Sequence, residues 1–127
     1  MTKLQISRVP GTYAIARLAS DAKIPDWVPV SDFSSITRAS DELTITCLQE
    51  HVPQHIETDR DWSCLRTLGP FAFDATGIIA ALINPLSDAG IGVFVCCTFD
   101  GEHVLLKTKD MPQAFGLLQE AGHTIVG

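Results

Sequence analysis

The second half of the chain alternates between two hydrophobic periods, and each change marks an element. Trp62–Phe73 reads as a strand that closes on Gly69-Pro70. Ile78, Ile79, Leu82, Ile83 and Leu86 then recur at helical spacing, which predicts a helix opened by Asp74-Ala75-Thr76-Gly77 and closed by Asp88-Ala89-Gly90. Thr76 or Asp74 is its predicted cap, Gly90 suits a left-handed stop, and Pro85 should kink the helix or end its regular part. Ile91–Phe99 is an apolar strand, Asp100-Gly101 a tight turn, and Glu102–Lys109 a further strand. A second helix starts at Asp110-Met111-Pro112, capped by Asp110, and ends at Gly122. Its apolar face is Phe115, Leu118 and Ala121 or Ala114, Leu117 and Ala121. His123–Val126 is a last short strand. The order from Gly69 to Gly127 is a complete βαββαβ unit, an open sheet with helices on one face.

The first half is less regular. Leu4–Val9 and Thr12–Leu18 are strand-like and separated by Pro10-Gly11, a turn signal. Ser20–Pro29 is a loop with one helical turn at Pro25-Asp26-Trp27-Val28. Phe33–Arg38 and Leu43–Leu48 are strands joined by the turn Ala39-Ser40-Asp41-Glu42, and the polar stretch Gln49–Asp61 is a connector. Each half has a strand, a connection and a two-stranded hairpin. The chain therefore reads as two small α+β modules, residues 1–60 and 61–127, the first degenerate. Neither is expected to be stable alone, because ~60 residues bury too small a share of their surface.

Composition narrows the function. The 127 residues are 46% hydrophobic, enough for a real core, and the formal net charge is −6 with no basic cluster. That disfavours nucleic acid and an anionic membrane surface as partners. No apolar run is long enough to span a bilayer, and Met1-Thr2-Lys3 leads into a strand pattern without a secretory leader. Cys47, Cys64, Cys96 and Cys97 make no C-x-x-C pair. Cys96 and Cys97, being adjacent, point to opposite faces of a strand. All four read as reduced thiols of a cytoplasmic protein.

Among candidate chemistries, His51 and His55 have helical metal-ligand spacing, but Pro53 lies between them and no third ligand completes a set, so no metal or cofactor is expected. Cys96 or Cys97 with His103 or His123 could form a nucleophilic pair, although mid-strand thiols usually serve as small hydrophobes. The loop Gly69–Gly77 is more informative. It leaves a strand and enters the first turn of a helix, where exposed N–H groups suit a carboxylate, and Asp74 in the same loop could take an ammonium. Capping by Asp74 and Thr76, with Gly77 allowing close packing, is the simpler account. Asp88, Asp100 and Glu102 flank the strand Ile91–Phe99 as a second acidic set.

At these positions the chain resembles the bacterial ACT-domain proteins related to the CASTOR arginine sensors. The likeness rests on Trp62-Ser63-Cys64-Leu65-Arg66, Gly69-Pro70-Phe71, Thr76-Gly77-Ile78, Ala89-Gly90-Ile91, Thr98-Phe99 and His103-Val104-Leu105-Leu106. In the first half it rests on Tyr13–Leu18, Pro25, Trp27, Phe33–Arg38 and Ser40–Leu43. The resemblance implies tandem ACT modules of ferredoxin-like topology, the first incomplete, with antiparallel sheets and no catalysis. It implies ligand sensing at a module interface through Ser35 and Ile36 in the first half, and Asp88, Gly90, Ile91, Thr98, Phe99 and Glu102 in the second. The general ACT pattern adds Asp74, Thr76 and Gly77. Similar proteins tend to carry an Asp-Thr-Asp-Tyr-like run where this chain has Asp100-Gly101-Glu102-His103, so the reach of the acidic side chain differs. The eukaryotic sensors carry four modules, so two modules per chain imply a homodimer.

The expected function is a non-catalytic regulatory protein that binds a small molecule, an amino acid by the resemblance. The alternative is an interaction module that pairs through its sheet without a ligand, and a small Cys- or His-dependent enzyme is the third reading.

Overall fold

The computed structural model describes residues 2–72 and 74–127. They form two compact units, one made of the chain up to Pro10 together with Ser63–Gly127, the other of Gly11–Trp62. The strands are β1 (Gln5–Leu18), β2 (Ser35–Arg38), β3 (Leu43–Leu48), β4 (Thr58–Thr67), β5 (Phe94–Cys97), β6 (Glu102–Lys107) and β7 (Thr124–Val126). The helices are α1 (Ile78–Asp88) and α2 (Met111–Glu120). β1 passes from the first unit into the second after Pro10, and β4 passes back after Trp62.

In the unit that carries both helices the strands lie in the order β7, β1, β4, β6, β5. β5 and β6 form an antiparallel hairpin with Cys96 opposite His103 and Cys97 opposite Glu102. β7 runs parallel to β1, Gln5 against Thr124 and Ser7 against Val126. The first strand of the chain thus lies next to the last. The βαββαβ reading does not anticipate this, because it closes the sheet with β7 and the strand before α1. Leu4 and Ile6 of this N-terminal segment, Leu65, Val104 and Leu106 of the sheet, Ala81, Leu82 and Leu86 of α1, and Met111, Ala114 and Leu118 of α2 form one core. Both helices therefore cover the same face. The predicted stripe of α1 holds at Leu82 and Leu86, with Ile78, Ile79 and Ile83 half-buried. α2 buries Met111, Ala114 and Leu118, a combination of the two predicted faces.

Both helices stop in the same way. Gly90 (φ 81°) and Gly122 (φ 95°) take the left-handed conformation. Ile91 N–H donates to the Leu86 carbonyl and Gly90 N–H to Ser87, while His123 N–H donates to Leu118 and Gly122 N–H to Gln119. This double bond pattern satisfies carbonyls the helix leaves open.

Pro85 lies inside α1, which nevertheless continues to Asp88. Proline offers no N–H to the carbonyl four residues back, that of Ala81. Buried His123 serves that carbonyl instead, Nε2 lying 2.7 Å from it, while Nδ1 accepts the Leu4 N–H at 3.0 Å. These two bonds require the Nε2–H tautomer. One side chain thus joins α1, the end of α2 and the entrance to β1.

In the unit 11–62, β3 pairs antiparallel with the second half of β1, Tyr13 opposite Leu48 and Leu18 opposite Leu43, and β2 pairs with β3. Ala14, Ala16, Leu43, Ile45, Cys47 and Val52 form its core, with Trp27 and Val28 packed against it. The Ala39–Glu42 turn is closed by Ala39 N–H to the Glu42 carbonyl, and the single turn at Pro25 by Val28 N–H.

Several element boundaries differ from the sequence reading. Pro10-Gly11 is not a turn: β1 runs through it, and glycine is needed at position 11 because its φ of 102° lies where L side chains are strained. β4 begins at Thr58, so the connector is shorter than predicted, and it ends at Thr67 instead of Phe73, a residue outside those described. Gln49 holds Asp61 (φ 69°) within β4, accepting its N–H at 2.7 Å and donating to its carboxylate at 3.2 Å. β5 is four residues long. Gly77 (φ 79°) occupies the cap position of α1, where neither Thr76 nor Asp74 bonds the first turn; Asp110 sits at the cap of α2 but makes no cap bond either.

Candidate functional site

The loop between β4 and α1 is held against the tip of the β5–β6 hairpin by backbone contacts. Phe71 N–H donates to the Asp100 carbonyl at 3.2 Å, and the tip itself is closed by Thr98 N–H to the Gly101 carbonyl at 2.8 Å. A Cβ on Gly69 would lie 2.4 Å from the Asp100 oxygen, so only glycine permits this approach. At the base of the hairpin the Thr67 hydroxyl accepts the Glu102 N–H at 3.0 Å and donates to the Glu102 carbonyl at 3.5 Å. These contacts fix the backbone from which the Glu102 side chain projects.

Between loop, hairpin tip and the first turn of α1 lies a cleft of about 390 Å³. Gly77, Thr98, Phe99 and Glu102, four of the residues predicted from sequence, line it together. Phe71, Ala75, Ile78, Ile79 and Cys97 complete most of its wall. Sequence reasoning did not select these, although Cys97 follows from the hairpin register once Asp100-Gly101 is accepted as its tip. Phe99 is 77% exposed.

Glu102 is the chemically distinctive group. Its Oε2 is buried and has no hydrogen-bond partner among the described residues. An ionised oxygen removed from water without a partner is costly, so a cation donor at this point would be stabilised. Cys97 faces Glu102 across the hairpin, and the hydrogen bond to that carboxylate, with burial and the negative charge, pushes its thiol up to about 11. Because Gly77 has no side chain, the opening N–H groups of α1 have no side-chain cap, and the positive end of the helix dipole meets the same cleft.

The other predicted residues lie elsewhere. Asp74 and Thr76 are exposed in the preceding loop and do not line the cleft. Asp88 and Gly90 are exposed at the far end of α1, and Ile91 is buried in the core. The eleven residues of α1 separate that end from Gly77 by roughly 15 Å. Ser35 and Ile36 belong to β2 in the unit 11–62, Ile36 being 42% exposed. The site residues therefore do not form one cluster within the helical unit.

A larger cleft of about 450 Å³ in the unit 11–62 is lined by Gln49 and Arg60 among others. Two of its polar groups already serve the protein: Gln49 bonds Asp61, and Arg60 donates to the Val52 and Pro53 carbonyls. Burial pushes the Cys47 thiol up to about 11 and the Cys64 thiol to about 12. Burial and neighbouring Arg66 lower His103. Nucleophilic cysteines need the reverse shift. Among the described residues no three His, Cys, Asp or Glu side chains gather as a metal site, and no helix is long and apolar enough to cross a membrane.

Residues 57–120 match the family model of the ACT domain. The chain belongs to the ACT-domain family. Residues 11–55 match a different family, described as an N-terminal domain, so the ACT assignment rests on the helical part of the chain. A crystal structure of a protein from Agobacterium tumefaciens is similar over 99% of this chain and 94% of its own, at 44% identity and a TM-score of 0.94. A protein of unknown function from Vibrio cholerae, described as a possible transport protein, is 19% identical, with 94% of this chain and 90% of its own covered and a TM-score of 0.76. Aspartate kinase from Clostridium acetobutylicum, described as an allosteric enzyme, is 13% identical with a TM-score of 0.68, over 95% of this chain and 35% of the kinase. At these lower identities the likeness is one of fold. No curated protein sequence matches the chain.

Proposed function

We propose that this ACT-domain chain is a non-catalytic regulatory protein that binds an amino acid in the cleft at the start of α1. The observation that carries this reading is that one cleft is lined both by Glu102, whose buried Oε2 has no hydrogen-bond partner among the described residues, and by the uncapped first turn of α1. An ammonium would be held by the first and a carboxylate by the second. The fold shared with an allosteric aspartate kinase agrees with a regulatory role. Regulation would come from differential affinity: the ligand favours one arrangement of protomers by as much as it binds that arrangement better. A homodimer of tandem ferredoxin-like modules would bring the far-end residues Asp88 and Gly90, or Ser35 and Ile36 of β2, to the cleft of a second copy. The free cysteines fit a reducing cytoplasm.

Thermal-shift titration with the twenty amino acids tests this. A ligand at a hundred times its dissociation constant adds about 2.7 kcal/mol of stability, a midpoint rise on the order of 10 °C for a chain of this size. The expected result is a response that disappears in Glu102→Gln. A flat panel, or a response that survives the substitution, would sink the proposal. The second reading, a sheet-pairing module without a ligand, is favoured by β2, which ends the strand order beyond β3 and exposes Ile36, since such edges recruit strands.

A further inference from the structure

We infer that the cleft selects an amino acid with an uncharged, apolar side chain, of the size of leucine, methionine or phenylalanine. The inference rests on the proposed function and deepens it by naming the ligand class. Beyond Glu102, Thr98 and Cys97 the side chains of the wall are apolar, chiefly Phe71, Ile78, Ile79 and Phe99, and no lysine, arginine or histidine lines the cleft among the described residues. The single carboxylate matches the ammonium common to all amino acids, so nothing ionic is left for the side chain. An acidic side chain would enter without a counter-charge, beside a carboxylate. A basic one would compete with the ligand's own ammonium for Glu102, leaving one of two positive charges desolvated and unpaired. An apolar side chain carries neither penalty and gains contact with the isoleucines and phenylalanines. The volume, about 390 Å³, falls in the range of about 300–1,000 Å³ typical of small-molecule sites, enough for a large side chain.

Phe99 is the specificity-determining residue in this account. It stands on the hairpin tip between Thr98 and Asp100, 77% exposed while lining the cleft. A bound apolar side chain adds contact with that ring, whereas glycine or alanine adds almost none.

The test uses the whole chain and measures affinity by calorimetric titration with glycine, alanine, leucine, methionine, phenylalanine, aspartate, glutamate, lysine and arginine. Protection of Cys97 against iodoacetamide, the one exposed thiol of the four, provides a second readout located in the cleft. Leucine, methionine or phenylalanine should bind at least about tenfold tighter than alanine and than every charged amino acid, and should slow Cys97 alkylation. Phe99→Ala should narrow the gap between phenylalanine and alanine about tenfold, and Phe99→Leu should restore part of it. If arginine, lysine, aspartate or glutamate binds tightest and Glu102→Gln abolishes that binding, the ligand class is wrong while the amino-acid reading stands. An unchanged selectivity in Phe99→Ala removes the role of Phe99. Absence of binding and of protection across the panel overturns both readings.

Discussion

At the residue scale, Glu102 and Cys97 are coupled. The carboxylate is the main reason the thiol is pushed up to about 11, so Cys97 should be a poor nucleophile despite its exposure. Its alkylation rate is expected to keep rising as pH passes the ordinary thiol value of 9.0 and approaches about 11. Glu102→Gln should return the thiol toward its ordinary range and raise the rate at a pH of about 8.5 by about tenfold. Timed mass-spectrometric labelling checks this; an unchanged rate would mean the two groups do not meet. Individual site residues were partly legible. Glu102 was visible as an acidic end-of-strand residue and Gly77 as a helix-start glycine, and resemblance supplied Thr98 and Phe99. Asp88, Gly90 and Ile91 fail to join them for a reason already in the sequence. A helix of this length carries its two ends apart, so residues that bracket it meet one ligand only through another chain.

At the element scale, α1 depends on a partner outside itself. His123→Ala would strand the Ala81 carbonyl and the Leu4 N–H, and two buried unsatisfied groups are expected to cost roughly 2–5 kcal/mol. Urea unfolding measures this, and a loss below about 1 kcal/mol would show that neither bond matters. Both helices were legible in the sequence, with starts within a few residues of the observed ones, because their stripes and glycine stops are local signals. The strands read too long. Phe71, Ile91 and Val93 are apolar because they pack on the core from loop positions, and a pattern of burial cannot distinguish them from strand residues. The missed caps have a simpler cause: Gly77 took the position itself, displacing Thr76 and Asp74 by one or more residues.

At the scale of the whole molecule, the buried thiols set an alkaline limit. Cys47 and Cys64 lie above their ordinary value of 9.0, at about 11 and about 12. The unfolded chain therefore loses these protons first as pH rises past 9.0, and stability that is complete below that point is lost progressively as pH climbs toward the folded values. Melting midpoints should hold from pH ~7 to ~8.5 and fall by pH ~10.5, less steeply in a Cys47→Ala/Cys64→Ala variant. An equal slope in that variant would assign the limit to other groups. The division of the chain was hardest to read, because β1 and β4 each continue as one strand through a unit boundary. Pro10-Gly11, which looks like punctuation, marks one such crossing.

The pairing of β1 with β7 also sets an order of events. During synthesis Gln5, Ile6 and Ser7 emerge more than a hundred residues before the strand that completes their edge, Thr124–Val126. The intervening Gly11–Trp62 pairs β1 with β3 and β2 with β3 inside its own residues, and its contacts are available as soon as Trp62 has left the ribosome. The helical unit has no such option. Its core needs Leu4 and Ile6 beside Leu118, so it must wait until α2 and β7 have been made, with Leu4 and Ile6 held open in the meantime.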